Sequence, residues 1–110
     1  MAKLTTHVLD LSRGCPAAGV RIVCFRGEEK IGSALTNADG RVSQPLAEAL
    51  VIGTHRIEFF VGDYFAKQGH ADAKAFLDVV PIVFVVNDVE RSYHVPLLIT
   101  PWSYSTYRGS

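Results

Sequence analysis

The sequence lacks the features that would assign it to several large functional classes. Its 11 Lys and Arg residues equal its 11 Asp and Glu residues, and no basic block stands out. This balance argues against a nucleic acid or an anionic membrane surface as a partner. No apolar run approaches about 18 residues, so no membrane-spanning helix is predicted. The opening stretch MAKLTTHVLD also lacks the apolar core of a secretion signal, and we expect a cytoplasmic protein.

Cysteine and metal-binding spacings are also scarce. The two cysteines are Cys15 and Cys24, and the second lies in an alternating apolar stretch that is typical of a buried thiol rather than a disulfide partner. The spacings CxxC, HxxxH and HExxH are absent, so no sequence-local metal site is predicted. A metal site assembled from distant strands is the alternative that this leaves open. The GxSxG motif of a serine nucleophile elbow is missing too.

What the sequence does contain is alternation of apolar and polar side chains, broken by Gly, Asn, Asp and Pro. Strands are predicted at 4–10, 20–26, 30–36, 54–62, 79–88, 92–100 and 104–110. A tight turn is predicted at 37–41, and one short helix at 63–69 with Asp63 as its N-cap. Together these elements predict an all-β sandwich that forms a single domain over residues 1–110.

Two of the strands carry further predictions. The run VVPIVFVVND at 79–88 is almost entirely apolar, which predicts a strand buried on both faces. Pro96 interrupts the following strand, and proline has no N–H to donate to a neighbour. It therefore predicts either an edge position or a bulge.

The candidate chemistry consists of histidines, one arginine and a hydroxyl-rich end. His7, His55 and His94 lie in predicted strands, and His70 follows the predicted helix. A lone strand histidine is more often structural than catalytic, and Arg41, just after a turn glycine, fits a solvated charge. The residues by themselves therefore leave the role of His7, His94 and the STYRGS end open.

Three segments in chain order resemble the 5-hydroxyisourate hydrolases, the transthyretin-related enzymes of urate breakdown. They are LTTHVLDLSRGCPAAGV, TNADGR and YHVPLLITPWSYSTYRGS. FFVGDYFAKQG is similar to the strand-then-helix step of that family, so the resemblance covers nearly the whole chain. The terminal YRGS is its most specific part, because the hormone-carrying transthyretins lack it.

The resemblance implies a fold, an assembly and an activity. The fold is a transthyretin-like sandwich of two four-stranded sheets with one short helix, in a homotetramer with active sites at the dimer–dimer interface. The activity is hydrolysis of 5-hydroxyisourate to 2-oxo-4-hydroxy-4-carboxy-5-ureidoimidazoline in purine catabolism, with no cofactor and no metal. The alternative is a transthyretin-like protein that binds a small aromatic ligand without catalysis.

The family's hallmark positions fall on His7, Arg41, His94 and the terminal Tyr107-Arg108-Gly109-Ser110. The resemblance implies catalytic roles for His7, Arg41, His94 and Ser110, and substrate binding by His7, Arg41, Tyr107 and Arg108. One histidine would activate water while the other protonates the departing ring nitrogen, and the order is open. Arg41, with its permanent charge and planar fork, suits the developing oxyanion. A terminal carboxylate on Ser110 could pair with a cation or orient a histidine.

Overall fold

The computed structural model describes residues 2–109 and arranges them in two β-sheets with one short helix. The strands are β1 (Lys3–Asp10), β2 (Cys15–Pro16), β3 (Arg21–Arg26), β4 (Glu29–Leu35), β5 (Ala47–Glu48), β6 (Gly53–Phe59), β7 (Val80–Val86), β8 (Tyr93–Ile99) and β9 (Tyr104–Thr106). The helix is α1 (Val61–Lys67). In the described part of the chain, this helix falls short of the length and apolar character needed to cross a membrane.

The two sheets confirm the predicted all-β sandwich. One sheet has the order β2-β1-β8-β9, and β5 also pairs with β1, while the other has the order β4-β3-β6-β7. The first sheet thus has five strands rather than the expected four. The two additional strands, β2 and β5, are only two residues long and pair with opposite ends of β1. Such short pairings produce no detectable alternation in a sequence.

The core lies between the sheets and follows the period-two pattern. In β1 the even-numbered side chains face inward, and Leu4 and Val8 are fully buried. Ile57 of β6 and Leu97 of β8 are also fully buried. Cys24 of β3 is free and buried, as predicted, and burial raises the pKa of its thiol to about 11.

β7 is buried on one face only, so the prediction of burial on both faces is wrong. Val80 and Val86 are fully buried, whereas Val83 is 63% exposed and Val85 is 61% exposed. The strand lies at the edge of its sheet beside β6. An apolar run does not distinguish a strand covered on both sides from an edge strand with an apolar outer face.

Pro96 lies in the middle of the first sheet, so the prediction of an edge position or a bulge is also wrong. β8 pairs with β1 on one side and β9 on the other. The ladder with β9 stops at Leu97 and resumes, in the same register, as an isolated bridge between His94 and Gly109. The hydroxyl of Thr106 donates to the Pro96 carbonyl over 2.6 Å. The proline therefore marks a break in the ladder, because it has no N–H to donate.

The helix begins at Val61, two residues before the predicted start at Asp63. Phe60 occupies the N-cap position without a side-chain capping bond, and Asp63 lies in the first turn. Val61, Tyr64 and Phe65 form a buried stripe at the i, i+3 and i+4 positions. Packing of this stripe against the core, rather than a capping side chain, sets where the helix begins.

A buried hydrogen bond ties the helix to β1. The Tyr64 hydroxyl donates to Oδ2 of Asp10 over 2.8 Å, and the Ser12 N–H donates to Oδ1 over 2.9 Å. Asp10 is fully buried, so its carboxylate depends on these donors. Burial, followed by the bond to Asp10, raises the pKa of Tyr64 to about 12.

We expect Tyr64→Phe to lower the free energy of unfolding by about 1–3 kcal/mol, because it leaves one buried carboxylate oxygen without its donor. Urea denaturation measures this difference. Tyr104→Phe is the matched control, since Tyr104 is 44% exposed and its loss of a hydroxyl should change stability by less than about 0.5 kcal/mol. Equal midpoints for the two variants would contradict the role given to this bond.

Candidate active site

The parallel pairing of β1 with β8 brings two candidate residues onto one face. The odd-numbered side chains of β1 point away from the core, so Thr5 and His7 lie on the outer face of the first sheet. The register places Thr5 opposite His94 and His7 opposite Pro96. Residues 89 positions apart in the sequence thereby become neighbours.

The predicted turn at 37–41 is present and holds Arg41 beside His7. The side-chain oxygen of Asn37 accepts hydrogen bonds from the backbone N–H of Asp39 over 2.9 Å and of Arg41 over 3.1 Å. Gly40 has φ +74°, and a Cβ on it would overlap the Val8 carbonyl. Its own carbonyl accepts a bond from the Val8 N–H over 2.8 Å. Arg41 then forms an isolated bridge with His7.

The hydrogen bond of His7 determines which of its nitrogens is available. Its Nε2 lies 2.9 Å from the carbonyl oxygen of Asp39. A carbonyl only accepts hydrogen bonds, so Nε2 carries the proton and donates. The nitrogen left for exchange of a proton with a ligand is therefore Nδ1.

His94 is half-buried, and its surroundings favour the neutral form of its ring. Its Nδ1 lies 2.9 Å from the hydroxyl oxygen of Thr5. Its pKa is lowered below 6.5, first by burial and then by the positive charges of Arg41 and His7. A neutral imidazole near neutral pH can accept a proton, which is the requirement for a general base.

Gly109 lies directly against the ring of His94. Its N–H donates to the His94 carbonyl over 2.8 Å. A Cβ at this position would overlap Cδ2 of the ring, so any larger residue would displace the imidazole. The chain end thus supports His94 through its backbone.

An open cleft of about 580 Å³ is lined by His94, Arg41 and Gly109. His7 is not among its lining residues and lies beside it, bridged to Arg41. Arg108 is held at its wall, since its guanidinium donates to the Ser92 carbonyl over 3.3 Å and lies 4.1 Å from the centre of the Tyr93 ring. The residues that line the cleft are Thr5, Arg41, Arg91, Ser92, His94, Arg108 and Gly109.

The structure does not bring every predicted site residue to this cleft. Tyr107 is 62% exposed and lines a separate cavity of about 330 Å³, between the edges of β7 and β9. Ser110 lies outside the described residues. His55 is 1% exposed, and its Nδ1 donates to the Gly53 carbonyl over 3.0 Å, as befits a structural histidine. Nδ1 of His70 accepts a bond from the Asp72 N–H outside the cleft.

Three cleft residues were missed by reasoning from the sequence: Thr5, Arg91 and Ser92. Thr5 belongs to the same alternating strand as His7, and the register with β8 would have identified it. Arg91 and Ser92 directly precede β8. Ser92 was predicted as the first residue of that strand, and no pattern marked either residue as part of a site. Over residues 2–109, no three His, Cys, Asp or Glu side chains are grouped closely enough to hold a metal ion.

Comparison with known proteins identifies relatives over the whole described chain. Residues 4–109 match the HIUase/Transthyretin family. A 5-hydroxyisourate hydrolase of Deinococcus radiodurans is 52% identical, over 97% of this chain and 95% of that protein. The enzyme of the same name from Halalkalibacterium halodurans is 48% identical, over 98% of each chain.

Solved structures with a similar fold include a hydrolase of the same name, a transthyretin and an allantoin synthase. The Klebsiella pneumoniae 5-hydroxyisourate hydrolase has a TM-score of 0.89 and 36% identity, with 100% of each chain covered. Sea bream transthyretin in complex with thyroxine has a TM-score of 0.88 and 27% identity, over 98% of this chain and 95% of that chain. An (S)-allantoin synthase has a TM-score of 0.91 and 42% identity, over 99% of this chain, which spans 44% of that longer chain.

We expect Arg41→Ala to raise the pKa of His94 towards 6.5, because it removes one of the positive charges that lower it. Titration of the histidine resonances by NMR measures this, with the His94 signal assigned by its loss in His94→Gln. Arg41→Lys retains the charge and should leave the pKa low. Arg26→Ala, on the other sheet, is the control for net charge. An unchanged His94 titration in Arg41→Ala would show that the charge of Arg41 does not lower the pKa.

Proposed function

The chain belongs to the HIUase/Transthyretin family, and from that premise we propose that it hydrolyses 5-hydroxyisourate to 2-oxo-4-hydroxy-4-carboxy-5-ureidoimidazoline in purine catabolism. Full-length identity to proteins of that name supports the reaction. The observation that carries the proposal is that Arg41 and His94, distant in the sequence, line one cleft, with His7 bridged to Arg41 beside it. A carrier of an apolar ligand needs neither a neutral histidine nor several arginines in the lining of its binding site.

Water activation falls to His94 in this proposal. The substrate is a cyclic amide, and hydrolysis begins when water adds to its carbonyl carbon. The lowered pKa of His94 keeps the ring neutral and able to take the proton of that water. If the Thr5 hydroxyl accepts a bond from Nδ1–H, the lone pair of Nε2 is left for the water. Gly109 lies against the ring and helps to keep it in place.

Arg41 stabilises the charge that develops on the carbonyl oxygen. Its guanidinium is always charged and donates from a planar fork, so it opposes an oxyanion without any proton transfer. The turn at 37–41 fixes its backbone beside His7 before substrate arrives. Such preorganised donors are typically worth about 10²–10³-fold in rate.

His7 completes the reaction by protonating the departing ring nitrogen. Its Nε2–H is engaged by the Asp39 carbonyl, so a proton on Nδ1 is the one that can be donated. The carbon–nitrogen bond then breaks, the nitrogen leaves as N–H, and the carbonyl carbon becomes a carboxylate. Arg108, at the cleft wall, would bind a ring carbonyl. Tyr107 and Ser110 remain predicted substrate-binding and catalytic residues, respectively.

The activity assay is the decay of 5-hydroxyisourate, generated from urate by urate oxidase and followed by ultraviolet absorbance. We expect this protein to speed the decay by several orders of magnitude, and His94→Ala and Arg41→Ala to lower kcat/KM by about 10²–10⁴-fold. His70→Ala, a histidine outside the cleft, is the control. Activity should persist in EDTA because the proposed steps use side chains alone.

Two results would contradict the proposal. Near-normal turnover in His94→Ala or Arg41→Ala would remove the role assigned to that residue. Decay no faster than the blank, from a folded protein that binds a small aromatic ligand tightly, would favour the carrier function instead. Loss of activity in EDTA and recovery with zinc would contradict the metal-free mechanism.

The assembly we propose is a homotetramer with its active sites between dimers. The exposed apolar side chains of Val83 and Val85 support it, because they lie on the edge strand β7 beside the cavity shared with β9. A formal net charge of zero offers little electrostatic resistance to association. Light scattering should give about four times the chain mass of 12.0 kDa. Val85→Lys should lower the measured mass, and a monomeric wild-type protein would contradict this assembly.

A further inference from the structure

The cleft contains an arginine that the proposed mechanism does not use. Arg91 lies in the loop before β8 and lines the cleft together with Arg41 and Arg108. Its side chain is exposed, and among residues 2–109 its guanidinium has no ion-pair or hydrogen-bond partner. Arg108, in contrast, is engaged by the Ser92 carbonyl and the Tyr93 ring. Arg91 is therefore free to bind a ligand.

The charged side chains among the described residues that line the cleft are all of one sign. Three guanidinium groups line the cleft, and no Asp or Glu of the described residues is among its lining. The whole chain has a formal net charge of zero. The positive charge of the cleft is therefore a local excess that acidic residues elsewhere in the chain balance. A concave surface lined by one sign of charge attracts and concentrates ligands of the other sign.

The proposed reaction creates such a ligand. Hydrolysis of a cyclic amide turns a neutral ring carbonyl into a carboxylate. The product therefore carries one more negative charge than the substrate. A guanidinium presents two parallel donors that match the two oxygens of a carboxylate. A compact ammonium would supply the charge without this geometry.

We propose that Arg91, together with Arg108, forms a subsite for the carboxylate of heterocyclic acids, and that the carboxylate formed beside Arg41 turns to this subsite once the ring has opened. The identity of that carboxylate rests on the proposed function. The subsite itself rests on two observations over residues 2–109: the Arg91 guanidinium has no partner, and no Asp or Glu lines the cleft. Arg91 is a binding residue that distinguishes ligands by charge.

Two stable compounds test the subsite without turnover. Orotate and uracil share a planar pyrimidine ring and differ by one carboxylate. Calorimetric titration of the full chain should show orotate binding about tenfold more tightly than uracil. Arg91→Ala should weaken orotate binding about five- to tenfold and leave uracil unaffected, and Arg91→Lys should restore part of the loss. Added salt should weaken orotate binding alone.

Lys30→Ala is the matched control, because it removes one exposed positive charge from β4 of the opposite sheet. It should bind both compounds as the wild type does. Equal affinity for orotate and uracil in the wild type, or undiminished orotate binding in Arg91→Ala, would overturn the subsite. In the decay assay, Arg91→Ala should weaken inhibition by the accumulated product by a larger factor than it changes KM or kcat.

The two proposals fail separately. If the wild type turns over 5-hydroxyisourate but does not prefer orotate, the subsite is wrong and the function stands. If orotate binding depends on Arg91 but 5-hydroxyisourate decays no faster than the blank, the proposed function is wrong and the carboxylate subsite is supported.

Discussion

The parallel pairing between β1 and β8 is the constraint on which both the fold and the cleft depend. It runs over seven residue pairs, from Leu4 opposite Tyr93 to Asp10 opposite Ile99. A slip of one residue would exchange the inward and outward faces, burying the polar side chains of the cleft and exposing the core. The same pairing positions Asp10 where Tyr64 of the helix can reach it. Core packing and site geometry are therefore fixed by one register.

Backbone groups, rather than long side chains, position the reactive groups of the cleft. The Asp39 carbonyl fixes the tautomer of His7, and Gly109 leaves no space for its own side chain beneath His94. Gly40 allows the turn to approach the Val8 carbonyl closely. Such supports are backbone atoms, so no side-chain rotation can displace them. They hold the site in one geometry before a ligand binds.

The sequence predicted the strands and turns that a local residue pattern determines. It missed features that depend on contacts between distant segments of the chain. Alternation located the longer strands, and the Asn-Ala-Asp-Gly segment gave the turn before Arg41. The start of α1 was misplaced because packing of Val61 outweighed the capping preference of Asp63. Pro96 was misplaced because the sequence does not say which strand lies on each side of it. The family resemblance, and not the residue pattern, predicted that His7, Arg41 and His94 belong together. The β1–β8 pairing and the turn at 37–41 explain why they lie near one another.

The separation of Thr5 from His94 also has a consequence for how the protein is made. These contacting residues are 89 positions apart in the chain. A ribosome that adds about 5–20 residues per second needs roughly 4–18 s to deliver the second after the first. Throughout that interval β1 lacks its longest partner strand, and its inward-facing leucine and valine have no complete core to enter. The arrival of β8 therefore covers the apolar side of β1 and completes the cleft in the same step.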